Sequence, residues 1–367
     1  MAVALNKFGV VDYAPTDNDL GHINEIREFL EGRGIPYEED ENIFGLFYLN
    51  GRTIQLRYVN SYHYPMDNSK RFGPERAGVE HNYFINISHS NADKGIRTIW
   101  LFDFEMEQTN TIVDDDGNEI EGYHRQWEVT KNTICTACGK IDHRIYARDC
   151  EVREVSNADV RMFLNTNCFY GYRSATTTLA LFLKKDKAGM KAGTMLMVYT
   201  FGHGFYANKK HMEDPSIEII RVSTKIGCQV IGGMSKCLKH FLTEHPTMEI
   251  GGKEVEVNRL IFYVDASHNN AKGMQADALN FNFVSWCGQG GFMNRWTCDY
   301  DETFEYNGKK VHLSGKRGEI FHRKPMIHKH IMKLIEEGKI VSIANAGTIV
   351  FDMTRSEFLK RFEEKKS

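Results

Sequence analysis

Residues 265–270 read Asp-Ala-Ser-His-Asn-Asn and follow directly on the apolar run "RLIFYVDA". An acid at the end of a strand, with a histidine close behind, is where α/β folds place ligand-binding and catalytic groups. His268 titrates near neutral pH and can serve as acid, base or metal ligand. Asp265 and Ser267 also suit a plainer task, capping the helix that follows while His268 is solvated. Taken alone, the loop favours that plainer task.

Three further groups of residues could carry chemistry. The stretch "QVIGGMSK" places Gln229, Gly232, Gly233, Ser235 and Lys236 at a strand-to-helix turn. Such a turn offers backbone N–H groups to a pyrophosphate or another anion, with Lys236 adding charge. Gly-Gly at that junction is also ordinary tight packing. Cys135 and Cys138 form a CxxC, but a zinc ribbon needs a second ligand pair, and only His143 and Cys150 lie near. A metal-dependent nuclease needs converging carboxylates. Glu25, Glu28, the "EEDE" run, Asp103 and Glu105 are available, yet the strands "IFGLFYL" and "TIQLRYV" carry no acid.

Regular elements must hold these groups in place. Leu20, Ile23, Ile26, Phe29 and Leu30 recur at helical spacing, and Asp17 or Asn18 can cap that helix. Asn50-Gly51 joins the two apolar strands as a hairpin. A helix over about 81–93 and the strand "GIRTIWLFDF" complete a first α/β unit. A turn at "DDDGNE" and a helix at "HRQWEVTKNTICTACGKI" form a junction. A second unit starts at "CEVREVSNADV", where Ser156 or Asn157 can cap a helix. Strands over 177–184, 194–202 and 216–224, the helix "GGMSKCLKHFL" and the strand "RLIFYVDA" follow. The short helix "GMQADALN" and the strand "FNFVSW" come next, then a hairpin at Asn307-Gly308, a helix near 325–337, two strands and a closing helix.

The 367 residues, with 41% hydrophobic and 26% charged, suit two or three globular domains. No apolar run reaches the length of a membrane span. The N-terminus lacks the features of a secretory signal, and eight scattered cysteines read as reduced thiols, so a cytoplasmic location is expected. Net charge is −3. Basic residues nevertheless cluster at Lys209 and Lys210 and at Arg323 and Lys324, which suits either a nucleic-acid contact on one face or a solvated surface.

Nearly the whole chain resembles a family of phage proteins. "EIREFLEGRGIPYE", "IQLRYVNSYHY" and "KGIRTIWLFDFE" resemble the N-terminal domain of EDxHD homing endonucleases, relatives of the very-short-patch repair nuclease. The resemblance implies Glu25, His81 and either Asp103 or Glu105 as family site residues, with Mg²⁺ as the metal. The acid of the hairpin strand is missing, and Arg57 falls near the next expected Glu. This points to a retired nuclease kept for binding double-stranded DNA, with Arg57 among its contacts. The second unit is similar to the GNAT (N-acetyltransferase) fold, and in particular to Mom-type DNA-modification proteins. Asp265, His268, Gly273, "MQADALNF" and Asn280 carry that likeness, and "QVIGGM" resembles the acyl-CoA turn with Met234 in place of a small residue.

The resemblance therefore implies an α/β chain with a Vsr-like unit over 1–105, a junction over 106–148, a GNAT-like unit over 149–302 and a C-terminal segment over 303–367 packing on it. The leading expectation is a base-modifying transferase. Asp265 and His268 would act with Arg221, Ser223 and Tyr199, while Gln229, Gly232, Gly233, Ser235, Lys236 and Asn280 bind a cofactor. Acyl-CoA, or an iron or magnesium ion, are the candidates for that cofactor. A homing-type endonuclease is the alternative, and a non-catalytic DNA-binding or inhibitor protein is the third reading.

Overall fold

Thr16 starts the first helix, α1 (Asp17–Gly32), through a reciprocal cap. Its hydroxyl accepts the Asp19 N–H at 3.2 Å, and the Asp19 carboxylate accepts the Thr16 N–H at 2.8 Å. The cap lies one residue before the expected position because Asp19 supplies the acid three residues on. The computed structural model describes residues 14–364 except 65–68, 73–81, 114–116, 204–215, 251, 270–278, 280, 288–292 and 323–326. The chain is a mixed α/β protein whose residues fall into two compact units, neither of them continuous in sequence.

The first unit takes residues up to Gln108 together with Asp265–Ala271 and Trp286–Thr348. After α1 come β1 (Tyr37–Glu39), β2 (Leu46–Leu49) and β3 (Ile54–Val59), joined as an antiparallel meander. The hairpin expected at Asn50-Gly51 forms with a four-residue loop between Leu49 and Ile54, in which Asn50, Gly51 and Arg52 take positive φ, +51°, +63° and +67°. A short helix, α2 (Ser69–Phe72), and α3 (Tyr83–Asp93) carry the chain across to β4 (Arg97–Phe102), which pairs parallel with β3. The sheet order is β1-β2-β3-β4, and β3 and β4 are buried along most of their length. Directly after β4 the chain turns into α4 (Asp103–Glu107).

The second unit takes Thr109–Val264, Lys272–Ser285 and Ile349–Ser367. It opens with β5 (Asn110–Val113), β6 (Glu119–Tyr123) and α5 (Arg125–Ala137). Next come β7 (His143–Tyr146), β8 (Cys150–Glu154) and α6 (Asn157–Asn167). Ser156 caps α6 with Asp159 in a second reciprocal box, as its position in the sequence implies. The strands β9 (Thr177–Leu183), β10 (Met195–His203), β11 (Ser216–Thr224) and β12 (Cys228–Ile231) lead to α7 (Gly233–Glu244). After the hairpin β13 (Thr247–Ile250) and β14 (Lys253–Glu256) come β15 (Arg259–Asp265) and β16 (Asn282–Cys287).

Here the chain returns to the first unit with β17 (Met293–Trp296), the hairpin β18 (Tyr300–Tyr306) and β19 (Lys309–Gly315), β20 (Ile320–His322), α8 (His328–Glu336) and β21 (Ile340–Ser342). Trp296, Tyr300, Leu313, Ile331, Leu334 and Ile340 form one buried cluster there. Gly315 is obligatory in this cluster, since a Cβ would come within 1.9 Å of the Trp296 indole nitrogen. The chain ends in the second unit with β22 (Thr348–Thr354) and α9 (Arg355–Glu364). The segment expected to pack as one piece after residue 303 is thus divided. Its hairpin, α8 and β21 join the first unit through β17, which pairs with β20 and β21.

A seven-stranded sheet in the order β16-β22-β15-β11-β10-β9-β8 organises the second unit. Strands β8 to β11 run antiparallel in sequence, whereas β11 and β15 are parallel. One face packs on α6 through Ala180, Val198, Val160 and Leu164. On the other face Phe201 stacks on Phe241 of α7, the ring centroids 3.7 Å apart. Burying each such aliphatic or aromatic side chain contributes roughly 1.5–3 kcal/mol.

Candidate functional site

Most buried charge in the first unit gathers where α1, the end of β3 and α4 meet. Asp19 is buried, and its carboxylate accepts from the Tyr58 hydroxyl and the Asn60 amide, both at 2.8 Å. His22 Nδ1 lies 2.9 Å from the same Tyr58 oxygen. Burial pushes Asp19 up, but the hydrogen bonds from Thr16, Asn60 and Tyr58 outweigh it and hold its carboxyl below the ordinary range. Burial alone draws His63 below its ordinary value, against the weaker pull of Asp19 and Asp103.

Arg295 of β17 supplies the countercharge for α4. Its Nη1 donates to Asp103 at 2.6 Å and to the Ser61 hydroxyl at 2.9 Å, and its Nη2 donates to Glu107. The guanidinium lies over the Tyr62 ring, 3.8 Å from its centroid. Asp103 also accepts the Ser61 and Phe104 N–H groups. Of the acids assigned by resemblance, Asp103 therefore has an arginine where a nuclease would hold a metal. Glu25 lies on the exposed side of α1, while Asp19 and His22 occupy the inward face. Among the described residues no three His, Cys, Asp or Glu side chains come together in a metal-binding group.

Asp265 and His268 also belong to the first unit. Asp265 Oδ1 accepts the Ser267 N–H at 2.8 Å, and the Asn269 amide donates to the Asp265 carbonyl at 2.7 Å, so this acid closes its own turn. His268 is buried, with Nε2 at 3.3 Å from Glu105. Arg97 donates to the His268 carbonyl at 2.9 Å, and the Ser267 carbonyl accepts the Trp100 N–H at 2.8 Å. Burial pulls the His268 pKa down, but the charge and hydrogen bond of Glu105 overcome this and leave it raised. The expected alternative of a solvated histidine does not hold: His268 anchors its loop on β4 and α4.

In the second unit the opening lies between β11 and β15. Their parallel pairing runs from Ser216–Arg259 to Ile219–Phe262 and goes no further. On its other side β11 stays paired with β10, but Ile220 is an extra residue there, since Thr200 faces Arg221 and Phe201 faces Ile219. The bulge turns the strand as it parts from β15. Arg221 lies just beyond it and donates to the Gly171 carbonyl at 3.1 Å and to the Ile220 carbonyl at 2.8 Å. Ser223 is buried and donates to the Asn167 carbonyl at 2.7 Å. Tyr199 lies wholly inside the sheet–α7 core, stacked on Phe201, and burial raises its phenol well above the ordinary value. The five residues expected to share a cleft are thus divided: Arg221, Ser223 and Tyr199 in one unit, Asp265 and His268 in the other.

The glycine turn forms as a strand-to-helix junction. Gly232 takes φ +76° at the N-cap of α7, and a Cβ on Gly233 would meet Met197, Val230 and Leu181 within 3.1 Å. That crowding is internal packing, which explains the second glycine without a ligand. Lys236 Nζ donates to the Ala147 carbonyl at 2.8 Å and to the Cys150 carbonyl, so its charge is committed to the chain. Gln229 lies in β12 opposite Arg144 of β7, and Ser235 is half-buried in the first turn of α7. Cys135 is buried inside α5 and Cys138 caps its end.

Arg57 sits on β3, its guanidinium 5.5 Å from the Trp100 ring centroid, beside a small pocket lined by Phe44, Tyr64 and Tyr83. Lys209, Lys210, Asn280, Arg323, Lys324 and His81 lie outside the described residues. The sequence reading missed Asp19, His22 and Arg295. Asp19 lies just past Asp17 and Asn18, the residues expected to cap α1, and nothing in the local sequence of Arg295 marks it as the partner of residues almost two hundred positions away. No protein-family model matches the chain, and no curated protein is significantly similar to it. No helix among the described residues is long and apolar enough to cross a membrane.

Proposed function

We propose that this protein modifies DNA: its second unit is a GNAT-like transferase domain, and its first unit is a nuclease-derived domain that binds DNA without cutting it. The sheet of the second unit carries this reading. Four antiparallel strands are followed by a parallel neighbour that parts from the fourth beyond Ile219–Phe262, and the last strand, β22, lies between β15 and β16. A sheet that opens in this way exposes backbone and side chains at the carboxyl ends of parallel strands, where ligands bind in α/β folds. Arg221 lies on β11 just beyond the point where the two strands part.

Within this reading Arg221 and Ser223 are the polar groups of the second unit at that opening. Acyl-CoA finds no particular fit at the glycine turn, because Lys236 is committed to backbone carbonyls and Gly233 to core packing. No step is therefore routed through it. For the first unit, the helix–meander–helix–strand order and the buried acids at the start of α4 support descent from a nuclease. Arg295 on Asp103 and Glu107 supports the loss of its metal chemistry.

Mass spectrometry of nucleosides from cells expressing the protein tests the proposal. The wild type should produce a nucleoside of new mass that is missing from cells without the protein. Unchanged nucleosides in the presence of folded wild-type protein would overturn it. Plasmid nicking that needs Mg²⁺ or Mn²⁺ and disappears in Glu25→Ala would put an endonuclease in its place.

A further inference from the structure

Arg125 and Arg221 come from distant elements of the second unit and meet around the loop that leaves α6. Arg125, the first residue of α5, donates from Nη1 to the Asn165 carbonyl at 3.3 Å. Arg221 donates to the Gly171 carbonyl at 3.1 Å. Gly171 has φ +66°, and a Cβ there would approach Arg125 Nη1 to 3.0 Å, so a glycine lets the guanidinium lie against the loop. The Tyr170 ring, at 37% exposure, stands 5.7 Å from the Arg221 guanidinium at the surface end of the cluster.

Each guanidinium has five N–H donors. Arg125 commits one of them to a carbonyl, and its Nε is buried without a hydrogen-bond partner among the described residues. Neither arginine forms an ion pair with a carboxylate among the described residues, in contrast to Arg259, which pairs with Asp352, and Arg295. Burial acts against the charge of both; Arg125 also feels Arg221, and Arg221 feels Arg173, with the Glu218 carboxylate a weaker opposing influence on Arg221. Carbonyl contacts of this kind also fasten a helix C-terminus. They do not explain two like charges placed together with donors to spare, which is unfavourable unless an anion completes the group.

We infer that Arg125 and Arg221, with exposed Arg173 beside them, form a binding site for phosphate, whose oxygens match two guanidinium forks. The phosphate belongs either to a small diphosphate-bearing molecule or to the DNA backbone. The inference goes beyond the transferase reading and is read from binding alone, without turnover, so either can fail while the other stands.

Full-length protein is treated with the arginine reagent phenylglyoxal in sodium chloride, inorganic pyrophosphate or short duplex DNA at matched ionic strength, and modified residues are located by peptide mapping. A ligand at several times its Kd should slow modification of Arg125 and Arg221 about fivefold, the occupied fraction being protected, while exposed Arg52 reacts unchanged. Protection by pyrophosphate alone assigns the site to a small diphosphate, and protection by duplex alone assigns it to the DNA backbone. Equal rates for both arginines in all three solutions would overturn the inference. Thermal unfolding adds a second measurement: whichever of pyrophosphate and duplex protects the two arginines should raise the Tm of the wild type and leave that of Arg221→Gln unmoved. A variant that is merely destabilised, with the shift by that ligand retained, counts against the site.

Discussion

His268 and Arg295 each tie a loop or strand of the first unit to the acids of α4, and both make predictions at the scale of one side chain. The folded pKa of His268 is raised above its ordinary value, about 6.5 in an unfolded chain. The pairing with Glu105 therefore stabilises the protein fully below that ordinary value and loses its contribution as pH rises through the folded value. The stability gap between wild type and His268→Gln in urea unfolding should accordingly be larger at pH 6 than at pH 8.5. A gap that is constant or widens with pH would show that the histidine is buried neutral. Arg295 is the stronger case, because removing it leaves Asp103 inside without its cation. Arg295→Met should cost about 3–5 kcal/mol, seen as a lower urea midpoint, although methionine fills similar space.

At the scale of elements, the Ser156 cap and the Asn307-Gly308 turn were legible because each depends on neighbours in sequence, whereas the cap of α1 fell on Thr16 and not on Asp17 or Asn18. Ser156 and Asp159, and Asn307 with Gly308 at φ +52° and +73°, fall where their spacing implied. Thr16→Ala should cost about 1 kcal/mol, as loss of an N-cap does. Gly315→Ala should cost more, about 3 kcal/mol, because the added methyl must displace Trp296, which is stacked between Tyr300 and Phe321. Comparing the two variants by thermal unfolding ranks local capping against packing; an equal or reversed order would contradict the crowding at Gly315. The pairing of β12 with β7 and the bulge at Ile220 were not legible, since both depend on which strand lies alongside.

At the scale of the whole molecule, the chain leaves the first unit after Gln108 and returns to complete it with Asp265–Ala271 and Trp286–Thr348. A fragment of residues 1–108 would lack both Arg295 and His268, leaving Asp103 and Glu105 without their cationic and imidazole partners. Hydrogen exchange at the amides of β3 and β4 should therefore be at least about tenfold faster in that fragment than in the full chain, in line with a local stability loss above 1.4 kcal/mol. Equal protection would show that the N-terminal residues form a self-sufficient domain, as a contiguous reading of the sequence implies.

The sequence by itself determined the local vocabulary: helices from apolar periodicity, hairpins from Asn-Gly, caps from Ser and Asp, and the mixed α/β class from their alternation. It also marked residues 265–268 as chemically rich. Only the tertiary structure decided their neighbours. Asp265 closes a turn and His268 meets Glu105, whereas Arg221 and Arg125, the latter a residue with no motif of its own, both lie against the loop at Gly171. The reason is physical: a cap or turn is set within a few residues of backbone, but the charge a buried side chain meets depends on contacts between segments far apart in the chain.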